Sequence, residues 1–230
     1  MPNYTPDLST FKNLASDHNV IPVYREISAD LETPVSAYLK TATGKHSFLF
    51  ESVEGGENVA RYSMLGTEPS EVLTTGAGTE HGEIDPLELL RNRMEKVSYA
   101  TVEGLPKFHG GAVGYLAYDT IRYFEPSVPP ISEEKSGLDV PEAVFMLTDT
   151  IMIFDHVRHT IFVVAHAAIN GDVEAAYDRA TAKIEEIIAR LDKPVPASGA
   201  RRNFLPPSGF TSRDPNLDYS SVGHPDQSPI

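Results

Sequence analysis

Apolar residues along this chain recur at two periods, and the period of each stretch predicts the element it forms. The longest helical stripe runs between Asp172 and Leu191. There Val173, Ala176, Tyr177, Ala180, Ile184, Ile187, Ile188 and Leu191 repeat at three- and four-residue spacing. Lys193-Pro194 closes it, because proline cannot continue a helix. Three further helix starts are marked by a capping residue directly before proline, at Thr5-Pro6, Thr33-Pro34 and Asp85-Pro86. Proline in the first helical position sacrifices no hydrogen bond. After the third of these, Leu87, Leu90, Met94 and Val97 form one apolar face.

Between the helices lie extended runs: "VIPVYRE" (20–26), "HSFLFES" (46–52), "RYSMLG" (61–66) and "EVLTT" (71–75). Further on, "AVFMLTDTIMIFD" (143–155) reads as one run, and the polar turn "HVRH" joins it to "TIFVVAHA" (160–167). So short a turn has no room for a crossover helix, so the pair is predicted to be an antiparallel hairpin. Hairpin-linked strands with helices in separate blocks predict an α+β fold, antiparallel sheets with helices packed against them, rather than a wound parallel sheet. From Lys193 onward, prolines at 194, 196, 206, 207, 215, 225 and 229 interrupt any period. Residues 1–192 are therefore expected to form the folded domain, and 193–230 a proline-rich linker or disordered tail.

Composition narrows the partners. A net charge of −14 repels phosphate backbones and anionic lipid heads, so neither nucleic acid nor a membrane surface is expected to bind. With no cysteine the chain has no disulfide, no thiolate metal site and no cysteine nucleophile, which suits a reducing compartment. The polar start "MPNYTPDLSTFKNLASDHNV" has neither the apolar core of a signal peptide nor the arginine-rich face of a transit peptide. A cytoplasmic protein is the expectation. In "DHVRHT", Asp155, His156 and His159 invite a metal. Yet histidines three apart need not converge across a hairpin turn, and zinc needs a further fixed ligand. An ordinary solvated turn is expected, with no metal. No Ser/His/Asp constellation and no pair of carboxylates stands out.

The stretch "LPKFHGGAVGYLAYDTIRYFE" (105–125) looks at first like a phosphate loop. Such loops need an apolar strand before the glycines, a helix after them, and a lysine followed by Ser or Thr. Here a turn-like approach precedes the glycines, and the alternating "AVGYLAY" follows. Gly110, Gly111 and Gly114 are expected to serve the backbone, letting a strand through Tyr115 pass close to its neighbour. In "YDTIRYF", Asp119 and Arg122 are spaced to pair on a short helix.

The wording of this stretch is more specific than its glycines. "GGAVGYLAYDTIRYFE" resembles the N-terminal half of anthranilate synthase component I, which uses chorismate in the first committed step of tryptophan biosynthesis. In the same order along the chain, "PVYREISADLETPVSAYLK" (22–40), "SFLFESVEGGENVARYSMLG" (47–66), "DPLELL" (85–90), "LPKFHGGAVGY" (105–115) and "LDVPEAVFMLTDTIMIFDH" (138–156) resemble further family elements. The resemblance covers roughly residues 20 to 192 and is closest in texture to the fungal members.

It implies an α+β regulatory domain in which Glu51 and Ser52 match the element that binds free tryptophan in feedback inhibition. Glu51 would accept from the ligand's ammonium, Ser52 would donate to its carboxylate, and Arg61 would add a cation from the next strand. The plain alternative is a strand end, with Glu51 solvated, Ser52 in a turn and Arg61 on the surface. Gly110, Gly111, Gly114, Tyr115, Asp119 and Arg122 would be architectural. In the family a segment like "SSVG" (220–223) leads into a larger half that holds chorismate and magnesium. Here the chain runs into "HPDQSPI" and stops. The resemblance therefore implies no cofactor and no turnover within this chain, tryptophan as its ligand, and a glutamine amidotransferase subunit as partner of the parent complex. Alternatives are the homologous subunit that makes aminodeoxychorismate, for which the "FES" and "YDTIRYFE" wording is less suited, or a binding remnant without catalysis.

The tail reading has a direct check. Limited proteolysis is expected to cut near Arg201-Arg202 or Arg213 and to leave a stable core ending near Leu191. Protection of all three arginines in the native protein would show instead that the tail is docked.

Overall fold

Thirteen elements follow from these patterns in a computed structural model that describes residues 3–51, 61–125, 127–128 and 140–196. In chain order they are α1 (Leu8–Leu14), β1 (Val20–Ser28), α2 (Pro34–Thr41), β2 (Ser47–Phe50), β3 (Tyr62–Thr67), β4 (Glu71–Thr75), α3 (Pro86–Met94) and β5 (Gly111–Leu116). A 3-10 helix (Tyr118–Tyr123), β6 (Ala143–Thr148), β7 (Thr150–Asp155), β8 (Thr160–Ala168) and α4 (Val173–Leu191) complete them. The strands make a five-stranded sheet in the order β1-β8-β7-β3-β2 and a three-stranded sheet in the order β4-β6-β5. Every pairing between these strands is antiparallel, as the α+β reading expects.

The larger sheet is covered on both faces. Successive side chains of a strand point to opposite sides. On β7, Met152 and Phe154 join α4 residues Ala180, Ile184 and Ile187 in one core. Ile151 and Ile153 enter a second core with Phe162, Val164 and Phe48. All six residues of β7 are buried, which is why its sequence reads as an apolar run without alternation. The stripe of α4 faces the sheet as predicted, and Asp172 caps the helix by accepting from the amides of Glu174 and Ala175. Thr33 caps α2 in a reciprocal bond pair with Ser36, as its place before Pro34 suggested. Among the described residues, no helix is long and apolar enough to cross a membrane.

Three expectations are corrected. Thr5-Pro6 does not start a helix. Thr5 instead pairs with Tyr24 on the edge of β1, and Asp7 caps α1 by accepting from the amide of Thr10. The apolar face of the third helix does not extend to Val97: α3 ends at Met94, Leu87 is exposed, and Leu89 and Leu90 pack against Leu73 and Phe145. The run 143–155 is two strands rather than one. β6 pairs with β4 and β5, β7 pairs with β3 and β8, and Asp149 stands between them in neither sheet. Residues 197–230, where most of the expected tail falls, lie outside the described residues.

The glycines of β5 serve the backbone. Gly111 adopts φ +117°, a conformation that side-chain-bearing residues rarely enter. A Cβ on Gly114 would lie 1.8 Å from the carbonyl oxygen of Val144 on β6. Gly114→Ala must therefore push the two strands apart. The expected cost is about 1–3 kcal/mol, typical of overpacking, read as a lower denaturant midpoint. An unchanged midpoint would show that β5 and β6 do not approach so closely.

Candidate functional site

The register of the larger sheet places the expected binding residues. Phe50 lies opposite Met64, so the next residue, Glu51, falls across from Ser63 at the end of β2, where it is exposed. Ser52 lies outside the described residues. Arg61 directly precedes β3, and its carbonyl accepts from the amide of His156, extending the β3–β7 ladder by one residue. Glu51 and Arg61 thus share one end of the sheet on neighbouring strands. They are not an ion pair.

Among the described residues the ion-pair partner of Arg61 is Asp155, the last residue of β7. Its Nε donates to Oδ1 at 3.1 Å and a terminal nitrogen to Oδ2 at 2.6 Å, the side-on fork that suits guanidinium and carboxylate. The Arg61 group also lies over the Tyr62 ring, 5.0 Å from its centroid. Asp155 is 1% exposed. The backbone amides of Val157 and Arg158 donate to the same carboxylate at 3.0 and 3.2 Å. Desolvation pushes Asp155 up, but the donors from Arg61, Arg158 and Val157 outweigh it and hold it below the usual carboxylate range. Hydrogen bonding to Asp155 in turn holds Arg61 more firmly protonated.

"DHVRHT" is the exposed turn expected at residues 156–159, and only Asp155 departs from that reading. Asp155 is buried because it satisfies both the turn amides and Arg61. His156 reaches back to Ser63, with Nε2 2.7 Å from Oγ. His159 sits in the turn with φ 54°. No group of three His, Asp or Glu side chains among the described residues could hold a metal ion.

The second cluster forms around the glycine stretch. Gly110 allows the His166 ring to pack against the backbone, where a Cβ would meet Cε1 at 2.2 Å. His109 stacks on His166 with centroids 5.4 Å apart and Nδ1 3.1 Å from Nε2. On the other side of the ring, Nδ1 of His166 lies 3.3 Å from the carbonyl oxygen of Asp149. Burial, and after it the neighbouring His109, pushes His166 down to about 4, and burial lowers His109 as well. Both rings are neutral at pH 7, and the sequence offered no sign of their meeting.

Tyr115 and the 3-10 helix lie beside β6. The Tyr115 hydroxyl donates to the carbonyl of Pro141 at 3.0 Å. The expected Asp119–Arg122 pair is not formed: Asp119 offers only its backbone carbonyl, at 3.4 Å. Arg122 pairs with Glu142 instead, joined by the Tyr123 hydroxyl, which donates to Glu142 at 3.0 Å. Glu142 is largely buried and Asp119 exposed, so the charge pair forms where water competes least.

Comparisons with known proteins agree on one family. The model of the chorismate binding enzyme family matches residues 45–214. The probable anthranilate synthase component 1 of Schizosaccharomyces pombe is 43% identical over 194 residues, covering 82% of this chain and 38% of that protein. Anthranilate synthase component 1 of Saccharomyces cerevisiae is 39% identical over 208 residues, covering 83% of this chain and 40% of that protein. That of Acetivibrio thermocellus is 38% identical over 194 residues, covering 80% and 39%. The chain thus spans two fifths or less of the length of these relatives. The crystal structure of anthranilate synthase component I from Streptococcus pneumoniae TIGR4 aligns with a TM-score of 0.46 at 26% identity, covering 74% of this chain and 37% of that one.

The Arg61–Asp155 pair makes a prediction about acid stability. A carboxylate held below its unfolded value stabilises the fold above about pH 3.9, and that contribution is lost as pH falls through the folded value. Arg61→Ala removes the strongest donors and leaves the desolvation, so the folded value rises. Acid unfolding, followed by circular dichroism, is expected to begin at higher pH in the variant. Coincident acid transitions would show that the pair contributes nothing.

Proposed function

We propose, from the premise that this chain belongs to the family of chorismate-binding enzymes, that it is the N-terminal regulatory portion of an anthranilate synthase component I. In this reading Glu51, Ser52 and Arg61 carry the element at which free tryptophan restrains the enzyme. The observation that supports it is the fixed guanidinium of Arg61 at the end of the sheet where Glu51 follows β2. Asp155 occupies Nε and one terminal nitrogen, leaving the other terminal nitrogen without a hydrogen bond among the described residues. A held cation and a carboxylate at one sheet end suit the two charges of an amino-acid zwitterion.

The parent reaction in this proposal converts chorismate and ammonia to anthranilate in the cytoplasm, with ammonia delivered by a glutamine amidotransferase subunit. The described residues offer no triad of acidic or imidazole ligands for the family's magnesium. The relatives described above all carry the anthranilate synthase name, which favours that branch over aminodeoxychorismate.

The test is a tryptophan inhibition curve for the full-length enzyme that carries this segment, with and without Ser52→Leu. Losing a hydrogen-bond partner of a charged ligand group costs about 1.5–3 kcal/mol, roughly ten- to a hundredfold in affinity. A leucine adds bulk and is expected to cost more, while kcat stays near wild type, because the element acts on the chemistry only through coupling. Superimposable curves would return Glu51, Ser52 and Arg61 to an ordinary strand end.

A further inference from the structure

Strand β8 and helix α4 leave between them a cavity of about 420 Å³. Small side chains line it: Ala165 and Ala167 on the strand, Ala176 and Ala180 on the helix. The volume lies within the usual range for small-molecule sites. Two polar atoms beside it lack any hydrogen-bond partner among the described residues, Oδ1 of Asp149 and Oγ1 of Thr150. Thr150 is 3% exposed and shares its face of β7 with Met152, which packs in the core beside α4. Its hydroxyl therefore stands on the helix side of the sheet.

Two cations border the same cavity. Lys183 is engaged with Glu68 at 2.8 Å. Arg179 is exposed on α4 and forms no ion pair among the described residues. One end of the cavity thus carries a carboxylate oxygen and a hydroxyl without partners, and its rim carries a guanidinium without one. Burial pushes the Asp149 carboxyl above its ordinary range, and an incoming cation would relieve that cost.

We propose that this cavity is a binding site for a small zwitterion of the α-amino-acid class, its ammonium on Asp149 and Thr150 and its carboxylate on Arg179. The alanine walls select a short side chain. The site is separate from the Glu51–Arg61 element. Asp149 precedes β7 and Asp155 ends it, so the two carboxylates are separated by the length of the strand, about 20 Å at ~3.3 Å per residue. Polar cavities of this size also hold ordered water, and the experiment is chosen to separate the two occupants.

The experiment is isothermal titration calorimetry of the 230-residue chain with L-alanine and L-serine, and with sodium acetate and methylammonium chloride as half-ligands. Both amino acids are expected to bind, and each half-ligand at least about tenfold more weakly, because it satisfies one end only. Asp149→Asn is isosteric and removes no hydrogen bond of the Asp149 side-chain oxygen Oδ1, and Arg179→Ala lies on the exposed helix surface, so both are expected to fold, as a thermal melt will show. Each is expected to weaken L-alanine by about tenfold or more. Three results would overturn the proposal: no heat from either amino acid at millimolar concentration, which means water alone; acetate binding as tightly as alanine, which means a plain anion site; or both variants binding like the wild type.

Discussion

The chain returns from the three-stranded sheet to the five-stranded one through a single residue. Asp149 stands between β6 and β7, so the end of the three-stranded sheet and the start of the five-stranded one are held together by adjacent peptide bonds. Its carbonyl accepts from the backbone amide of His166 at 2.7 Å and faces the ring nitrogen of the same residue. His166 thereby sits at the junction, and His109 and Gly110 follow because the ring needs a flat neighbour and a backbone without a Cβ. With β6 fixed there, β5 must run beside it, and the close approach at Gly114 follows. The glycine stretch and the two histidines are thus consequences of one crossing.

Several ion pairs of this acidic chain hold separate elements together. Glu68, in the turn after β3, adopts φ 51° and accepts from Lys183 and Arg190 of α4. Donation from Lys183 first, then from Thr43 and Arg190, pulls its carboxyl down to about 2. The Arg61–Asp155 fork does the same at the other end of β3 and β7. Each joins segments that share an apolar core. Both are partly shielded from water, where such pairs are screened least.

What the sequence disclosed was local. The stripe of α4, the capped start at Pro34, the β7–β8 hairpin and the α+β class were legible because each depends on neighbours in the chain. The family was legible too, since strings such as "GGAVGYLAYDTIRYFE" and "SFLFES" keep their wording whatever the tertiary contacts. The break at Asp149 was hidden because "LTDTI" continues an extended pattern through it, and only the choice of partner strands divides the run. Thr5-Pro6 misled because Asp7 offers a better cap one residue beyond the proline. The partner of Arg61 is 94 residues away and that of His166 is 57, beyond anything that periodicity reports.

The pairing of β1 with β8 also bears on how the protein is made. Among the described residues Val20–Ser28 has its one full strand partner in Thr160–Ala168, and α1 packs in the same core as α4. Strand β1 therefore leaves the ribosome long before the strand it needs. At a synthesis rate of about 5–20 residues per second, the wait is roughly seven to thirty seconds. Through that interval "VIPVYRE" remains an apolar segment with an unpaired edge, the kind of surface that chaperones and other nascent chains can capture. Folding of this sheet is tied to the synthesis of β8 and α4, so the chain needs protection while it is being made as well as stability once the sheet is finished.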